Sequence, residues 1–172
     1  MTGGRTDVTV PGGEDGESGM DGKDSDDKDD KDGESGESGE SGESGEYEPW
    51  RRPTPLLDRL GDLRRHRTDP DRFRFAVDEP KLNGRGLLHA GAICTIADVC
   101  IGHALAGQTD PATPLLTVNI AVSLLGVARP GQVVDVTVTR HRLGRRLASG
   151  SADFLVDGRL IAHATATLLP AT

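Results

Sequence analysis

Apolar residues follow first a helical and then a strand period along residues 54–169, and they are almost absent before that stretch. Leu56, Leu57, Leu60 and Leu63 recur at helical spacing behind Thr54 and Pro55, an N-cap followed by proline at the first helical position. That pattern predicts a short amphipathic helix. Arg72 to Asp78 alternates instead, with Phe73, Phe75 and Val77 on one face, and reads as a strand. The glycine-rich turn Asn83-Gly84-Arg85-Gly86 then opens an apolar run from Ala90 to Leu105, long enough for a helix and too short to span a membrane. Three extended runs follow, Leu115 to Leu125, Val133 to Arg142 and Leu147 to Val156, the last joined through Asp157-Gly158 to a fourth, Arg159 to Leu169. Asp-Gly between two alternating runs is a hairpin signal.

One long helix set early against a run of strands with short turns predicts an α+β domain, an antiparallel sheet wrapped around that helix. The alternation of Val134, Val136 and Val138 with Asp135, Thr137 and Thr139 gives the sheet one buried and one wetter face. The helix inside must then be apolar nearly all round. Within its run stands one carboxylate, Asp98. A lone acid there is costly to bury unless something pairs with it or uses it, which makes Asp98 the first functional candidate.

Charge divides the chain. Residues 1–48 hold 17 acidic against 4 basic side chains, while residues 49–172 carry 16 basic and 11 acidic, so the overall −8 describes neither part. The first part contains the acidic run Asp24 to Asp32 and the triplet Gly-Glu-Ser repeated from Gly33 to Ser44. With almost no apolar side chains it cannot offset its ordering entropy, and a disordered, solvated acidic tail is expected over 1–48. Its glycine period lacks the proline of a collagen helix. Residues 49–172 suffice for one domain with a real, though small, core.

Cys94 and Cys100 are six residues apart and point to different faces of one helix, so they do not bridge each other and read as reduced, buried thiols. No charged-then-apolar signal opens the sequence and no run reaches membrane-spanning length, so a soluble, cytoplasmic protein is expected. His89, His103, His141 and His163 show no metal-ligand spacing, and no metal is expected. Aromatics are too scarce for nucleic-acid stacking platforms, and the acidic segment repels phosphate.

Several motifs, in order, resemble one family. Asn83 stands six positions before His89-Ala90-Gly91, and Ile96-Ala97-Asp98-Val99-Cys100 places an acid nine after the His. Thr117-Val118-Asn119-Ile120, Arg129-Pro130-Gly131 and Arg142-Leu143-Gly144-Arg145-Arg146-Leu147-Ala148 follow. Together these resemble the hotdog-fold acyl-CoA thioesterases of the phenylacetate-degradation type, over residues 54–169. Two positions depart from that family's pattern: Ala90 replaces the first Gly of its His-Gly-Gly, and Asn119 replaces a strand Asp.

The resemblance implies the hotdog fold and hydrolysis of an acyl-CoA thioester. Asp98 would activate water as general base or attack directly, its burial raising its pKa. Backbone N–H groups of Ala90 and Gly91 at the helix start would form the oxyanion hole, provided Ala90 keeps φ below zero. Asn83 and Thr117 would orient water or carbonyl; a turn side chain and an ordinary strand threonine are the competing readings. His89 either binds beside the thioester or only hydrogen-bonds the backbone at the helix start. Coenzyme A would be gripped through its phosphates by Arg145 and Arg146, with Arg140 and Arg142 nearby and Gly144 exposing backbone donors; a solvated hairpin tip is the competing reading. No cofactor is needed beyond the coenzyme A of the substrate. An open sheet edge argues for a homodimer or homotetramer with the site between subunits. The alternatives are a non-catalytic acyl-CoA-binding or regulatory domain, and a thioesterase acting on a carrier-protein-bound acyl group.

Overall fold

A computed structural model describes residues 45–51, 54–107 and 114–171. Ten elements run in the order β1 (Tyr47–Pro49), α1 (Pro55–Leu60), β2 (Arg64–His66), β3 (Arg72–Ala76), a single 3-10 turn (Glu79–Lys81), α2 (Ala90–Ala106), β4 (Leu115–Leu124), β5 (Val133–Leu143), β6 (Ala148–Val156) and β7 (Arg159–Pro170). The strands form one seven-stranded antiparallel sheet in the order β1-β2-β3-β5-β6-β7-β4. Helix α2 lies against β4, β5, β6 and β7. This is the α+β hotdog architecture expected from the sequence.

The core forms where the alternation said it would. Val134, Val136 and Val138 are buried on β5, Phe73 and Phe75 on β3, Ala152 and Phe154 on β6, and Ala162, Ala164 and Ala166 on β7. Small residues on β6 and β7 let the helix approach closely; a Cβ on Gly150 would come within 3.3 Å of Ile101 Cγ2. The β6–β7 hairpin turns on Asp157 and Gly158 at φ 50° and 74°. Both signs are those of a type I′ turn, which matches the twist of the flanking strands.

Three expectations need correction. The first helix stops at Leu60, because Gly61 turns the chain at φ 77°. It buries none of its own residues, and Leu56 is 58% exposed, whereas Leu63, expected on its stripe, is buried just beyond it. Thr54 occupies the N-cap position without a side-chain capping bond. Strands β1 and β2 were not expected, and β1 draws Tyr47 and Glu48 of the acidic segment into the sheet; residues 1–44 of that segment lie outside the described residues. Finally, α2 is apolar nearly all round but not buried all round. Ala92, Ile93, Ile96, Ala97, Cys100, Ile101, Ala104 and Leu105 are buried, but Cys94, Thr95, Asp98 and Val99 are only half-buried and Gly91 is exposed.

Candidate active site

The site is built around the N-terminal half of α2. The chain reaches it through a closed tongue, residues 82–88. A bridge between Leu82 and Leu88 closes its base, and Asn83 N–H donates to Leu87 C=O at 2.8 Å. The Asn83 side chain organises the tip: its Oδ1 accepts the N–H groups of Arg85 at 2.8 Å and Leu87 at 3.2 Å. Asn83 Oδ1 is therefore engaged by its own loop, the turn role that competed with orientation of a reacting group.

His89 is the N-cap of α2. Its Nδ1 accepts the Gly91 N–H at 2.8 Å, so in this hydrogen-bond network Nδ1 carries no proton. A Cβ on Gly91 would lie 2.9 Å from that nitrogen, so a larger residue there would have to displace the capping ring. The cap has a chemical consequence. Of the two N–H groups the sequence offers to an oxyanion, that of Gly91 is occupied, and that of Ala90 has no partner among the described residues. Ala90 is absent from the left-handed region, so its methyl group brings no backbone penalty.

Two turns further along α2 is Asp98. The sequence led us to expect a buried acid; the carboxylate is half-buried, because the flank of α2 that carries it faces the open edge of the sheet. Thr117 Oγ1 donates to Asp98 Oδ1 at 2.6 Å. A β-bulge between Thr117 and Asn119 makes this contact possible: Thr117 pairs with Leu168 on the helix-facing side, whereas Asn119 pairs with Thr167. Asn119, at the departure from the family pattern, is exposed and on the opposite face from Asp98. Cys94, one turn before Asp98, is also half-buried, contrary to the expected buried thiol. Cys100 is fully buried, and burial pushes its thiol well above the usual range.

The arginine hairpin joins β5 to β6 at the sheet end that holds Thr117, since Thr117, Leu168, Ala148 and Leu143 are successive cross-strand neighbours. Gly144 has a structural reason of its own: its N–H donates to Leu147 C=O at 2.9 Å, and a Cβ would lie 3.1 Å from that oxygen. Arg145 and Arg146 are exposed at the tip with no acidic partner among the described residues. Arg140 is not available in the same way, because its guanidinium binds Asp71 Oδ1 at 2.6 and 2.9 Å. Sequence reasoning missed one buried charge near the site, Lys81. Among the described residues no group of three or more His, Cys, Asp or Glu side chains could hold a metal ion, and no helix is long and apolar enough to cross a membrane.

A seven-stranded antiparallel sheet around one long helix, with an acid on the helix flank and a capped helix start, is the hotdog architecture. The model of the thioesterase superfamily matches residues 85–161. A Pseudomonas aeruginosa protein named "Putative esterase PA0474" is 36% identical over 122 residues, covering 69% of this chain and 90% of that protein. The chain belongs to the thioesterase superfamily. Two solved structures share the fold at lower identity. A hypothetical thioesterase protein from Streptococcus pneumoniae, crystallised with coenzyme A, is 20% identical with a TM-score of 0.54, covering 58% of this chain and 79% of that one. A mutant of the phenylacetic acid degradation protein PaaI from Thermus thermophilus is 21% identical with a TM-score of 0.60, covering 69% of this chain and 100% of that one.

Proposed function

We propose that the protein hydrolyses an acyl-CoA thioester to a free acid and coenzyme A. The observation that carries this reading is the Asp98 carboxylate, solvent-accessible on the flank of α2 and oriented by the 2.6 Å bond from Thr117. Asp98 takes a proton from water as the water oxygen adds to the thioester carbonyl. The carbon–sulfur bond then breaks, and the departing thiolate is protonated. The Ala90 N–H, at the positive end of the helix dipole, stabilises the oxyanion. Arg145 and Arg146 suit the phosphates of coenzyme A, which enters as part of the substrate. The name of the P. aeruginosa relative supports ester hydrolysis, and coenzyme A in the S. pneumoniae structure supports the substrate class.

One helix cannot supply both catalytic groups to one carbonyl. Ala90 and Asp98 are eight residues apart, about 12 Å along the helix axis. We therefore take the acting unit to be a homodimer or homotetramer in which Asp98 of one copy faces Ala90 of another. Strand β4 supports this assembly, because it is a sheet edge carrying exposed Leu116, Val118 and Leu124.

The occupied Gly91 N–H favours a second reading, a catalytically quiet acyl-CoA-binding domain with an incomplete oxyanion hole. One experiment separates the two: thiol release from short, medium, long and aryl acyl-CoA esters and from an acylated carrier protein, with wild type beside Asp98→Asn. Hydrolysis requires turnover in the wild type and a loss of at least about a hundredfold in the variant. Coenzyme A binding without turnover on any ester would replace hydrolysis by the binding role. Turnover of the carrier-protein ester alone would change the substrate.

A further inference from the structure

Lys81 is the one charged side chain in the buried class among the described residues, 1% exposed. It ends the 3-10 turn Glu79–Lys81, and Asp78 is the N-cap of that turn. The two residues meet twice: Lys81 Nζ donates to Asp78 Oδ1 at 2.5 Å, and Lys81 N–H donates to Asp78 C=O at 3.0 Å. Gly61 leaves room for the pair, since a Cβ there would lie 3.3 Å from Asp78 Oδ2 and 3.4 Å from Lys81 Nζ. On its other side, the ammonium lies 5.9 Å from the centre of the Phe75 ring.

This buried ammonium is not explained by stability. An apolar side chain of similar length would fill the same space, and Asp78, whose side chain is 42% exposed, would keep its contact with water, so such a replacement is often neutral or stabilising. Its connections run instead to the candidate site. The Lys81 carbonyl accepts the His89 N–H at 2.8 Å, at the point where the tongue closes and α2 begins. His89 caps α2, and the next peptide carries the Ala90 N–H, which has no partner among the described residues. Two bonds between Asp78 and Lys81, one between side chains and one between backbones, thus fix the carbonyl from which the helix start hangs.

We infer that Lys81 is a positioning residue: its ion pair with Asp78 holds the base of the tongue and, through the His89 N–H, sets the aim of the Ala90 N–H. The inference rests on the reading of Ala90 as the oxyanion donor. Lys81 touches no substrate, and its effect is confined to geometry.

Lys81→Met keeps length and removes charge, and Asp78→Asn leaves a buried ammonium without its counter-charge. Both single variants and the double variant are compared with wild type in three ways: steady-state kinetics on the acyl-CoA ester turned over best, thermal unfolding, and hydrogen exchange at individual amides. In Lys81→Met the melting temperature is held within a few degrees and KM within about twofold, while kcat falls about tenfold, because only the transition state meets the misplaced donor. The His89 amide exchanges faster by about tenfold or more, with Val134 and Val136 unchanged. Asp78→Asn lowers the melting temperature, and adding Lys81→Met restores the temperature but not kcat.

Unchanged kcat and unchanged His89 exchange in Lys81→Met would overturn the inference. So would a uniform loss of protection across the sheet, which marks general destabilisation. If the wild type turns over no ester, the proposed function fails separately, and local exchange at His89 still decides whether Lys81 positions the helix start.

Discussion

The two flanks of α2 are built from the same apolar run and end in opposite environments. One flank carries Ile93, Ile96, Ala97, Cys100 and Ile101 into a core shared with Phe73, Val136 and Phe154. The other carries Gly91, Cys94, Thr95 and Asp98 toward β4, where Leu116 is 59% and Val118 56% exposed. Packed side chains on the first flank feel any change of volume. Polar groups on the second bring little stability and are free to serve chemistry. Stability and function should therefore respond to different substitutions, and three of them test that separation.

The largest effect belongs to the packed flank. Phe73 is 0% exposed and its ring lies 5.0 Å from Trp50 and 6.0 Å from His103. Phe73→Ala should cost about 3–5 kcal/mol of stability, through lost burial and the cavity left behind. Urea unfolding measures the loss. At temperatures where the variant is still folded, kcat should stay near the wild-type value; a comparable fall in kcat would mean that the two flanks are not independent.

On the open flank the balance reverses. Thr117→Val removes the hydroxyl that donates to Asp98 and keeps the branched shape favoured in a strand. An exposed hydrogen bond contributes only about 0.5–1.5 kcal/mol. Stability should change by no more than that, and kcat should fall about tenfold, or about 1.4 kcal/mol of barrier. Thr117→Ser, which retains the donor, should recover most of the rate. In an Asp98→Asn background the same Thr117→Val change should have little further effect, because the group it orients has already gone.

What could be read from the sequence follows the same division. Strands β4 to β7 and helix α2 are each nine residues or longer, and their periods were long enough to show. Strands β1 and β2 have three residues each and alternate with charges, so no period could form. They are held by pairs visible only in three dimensions, such as Arg65 with Glu48 at 2.7 Å and the edge contact of Tyr47 with His66. Asp98 stood out because an acid interrupts an apolar run, but its half-exposure depends on which sheet edge remains open. The bulge at Val118 that aims Thr117 had no local signature. Asn83 was legible as a turn residue, and Asn83 Oδ1 is engaged in that way. Lys81 looked like any loop lysine, since nothing nearby in sequence announces that Phe75 and Gly61 enclose it.

The smallest effect lies at the edge away from the site. Tyr47 is buried under the guanidinium of Arg74, which lies 4.4 Å from the ring centre, and its hydroxyl has no hydrogen-bond partner among the described residues. An unsatisfied buried hydroxyl is a cost, so Tyr47→Phe should leave stability unchanged or raise it by about 1 kcal/mol at neutral pH. Burial also holds the phenol protonated above its usual 10.0 in the folded chain. The unfolded chain therefore releases this proton first, and the folded state loses stability as pH rises above about 10. The difference in unfolding free energy between wild type and Tyr47→Phe isolates that term from lysine titration, which both proteins share. It should widen in favour of the variant above pH 10 and stay flat below. Tyr47 is the only tyrosine in the chain, so tyrosinate absorbance follows the same group directly. A difference that stays flat through that range would mean that water reaches the hydroxyl in the folded protein, and that this edge of the sheet is as open as the one at β4.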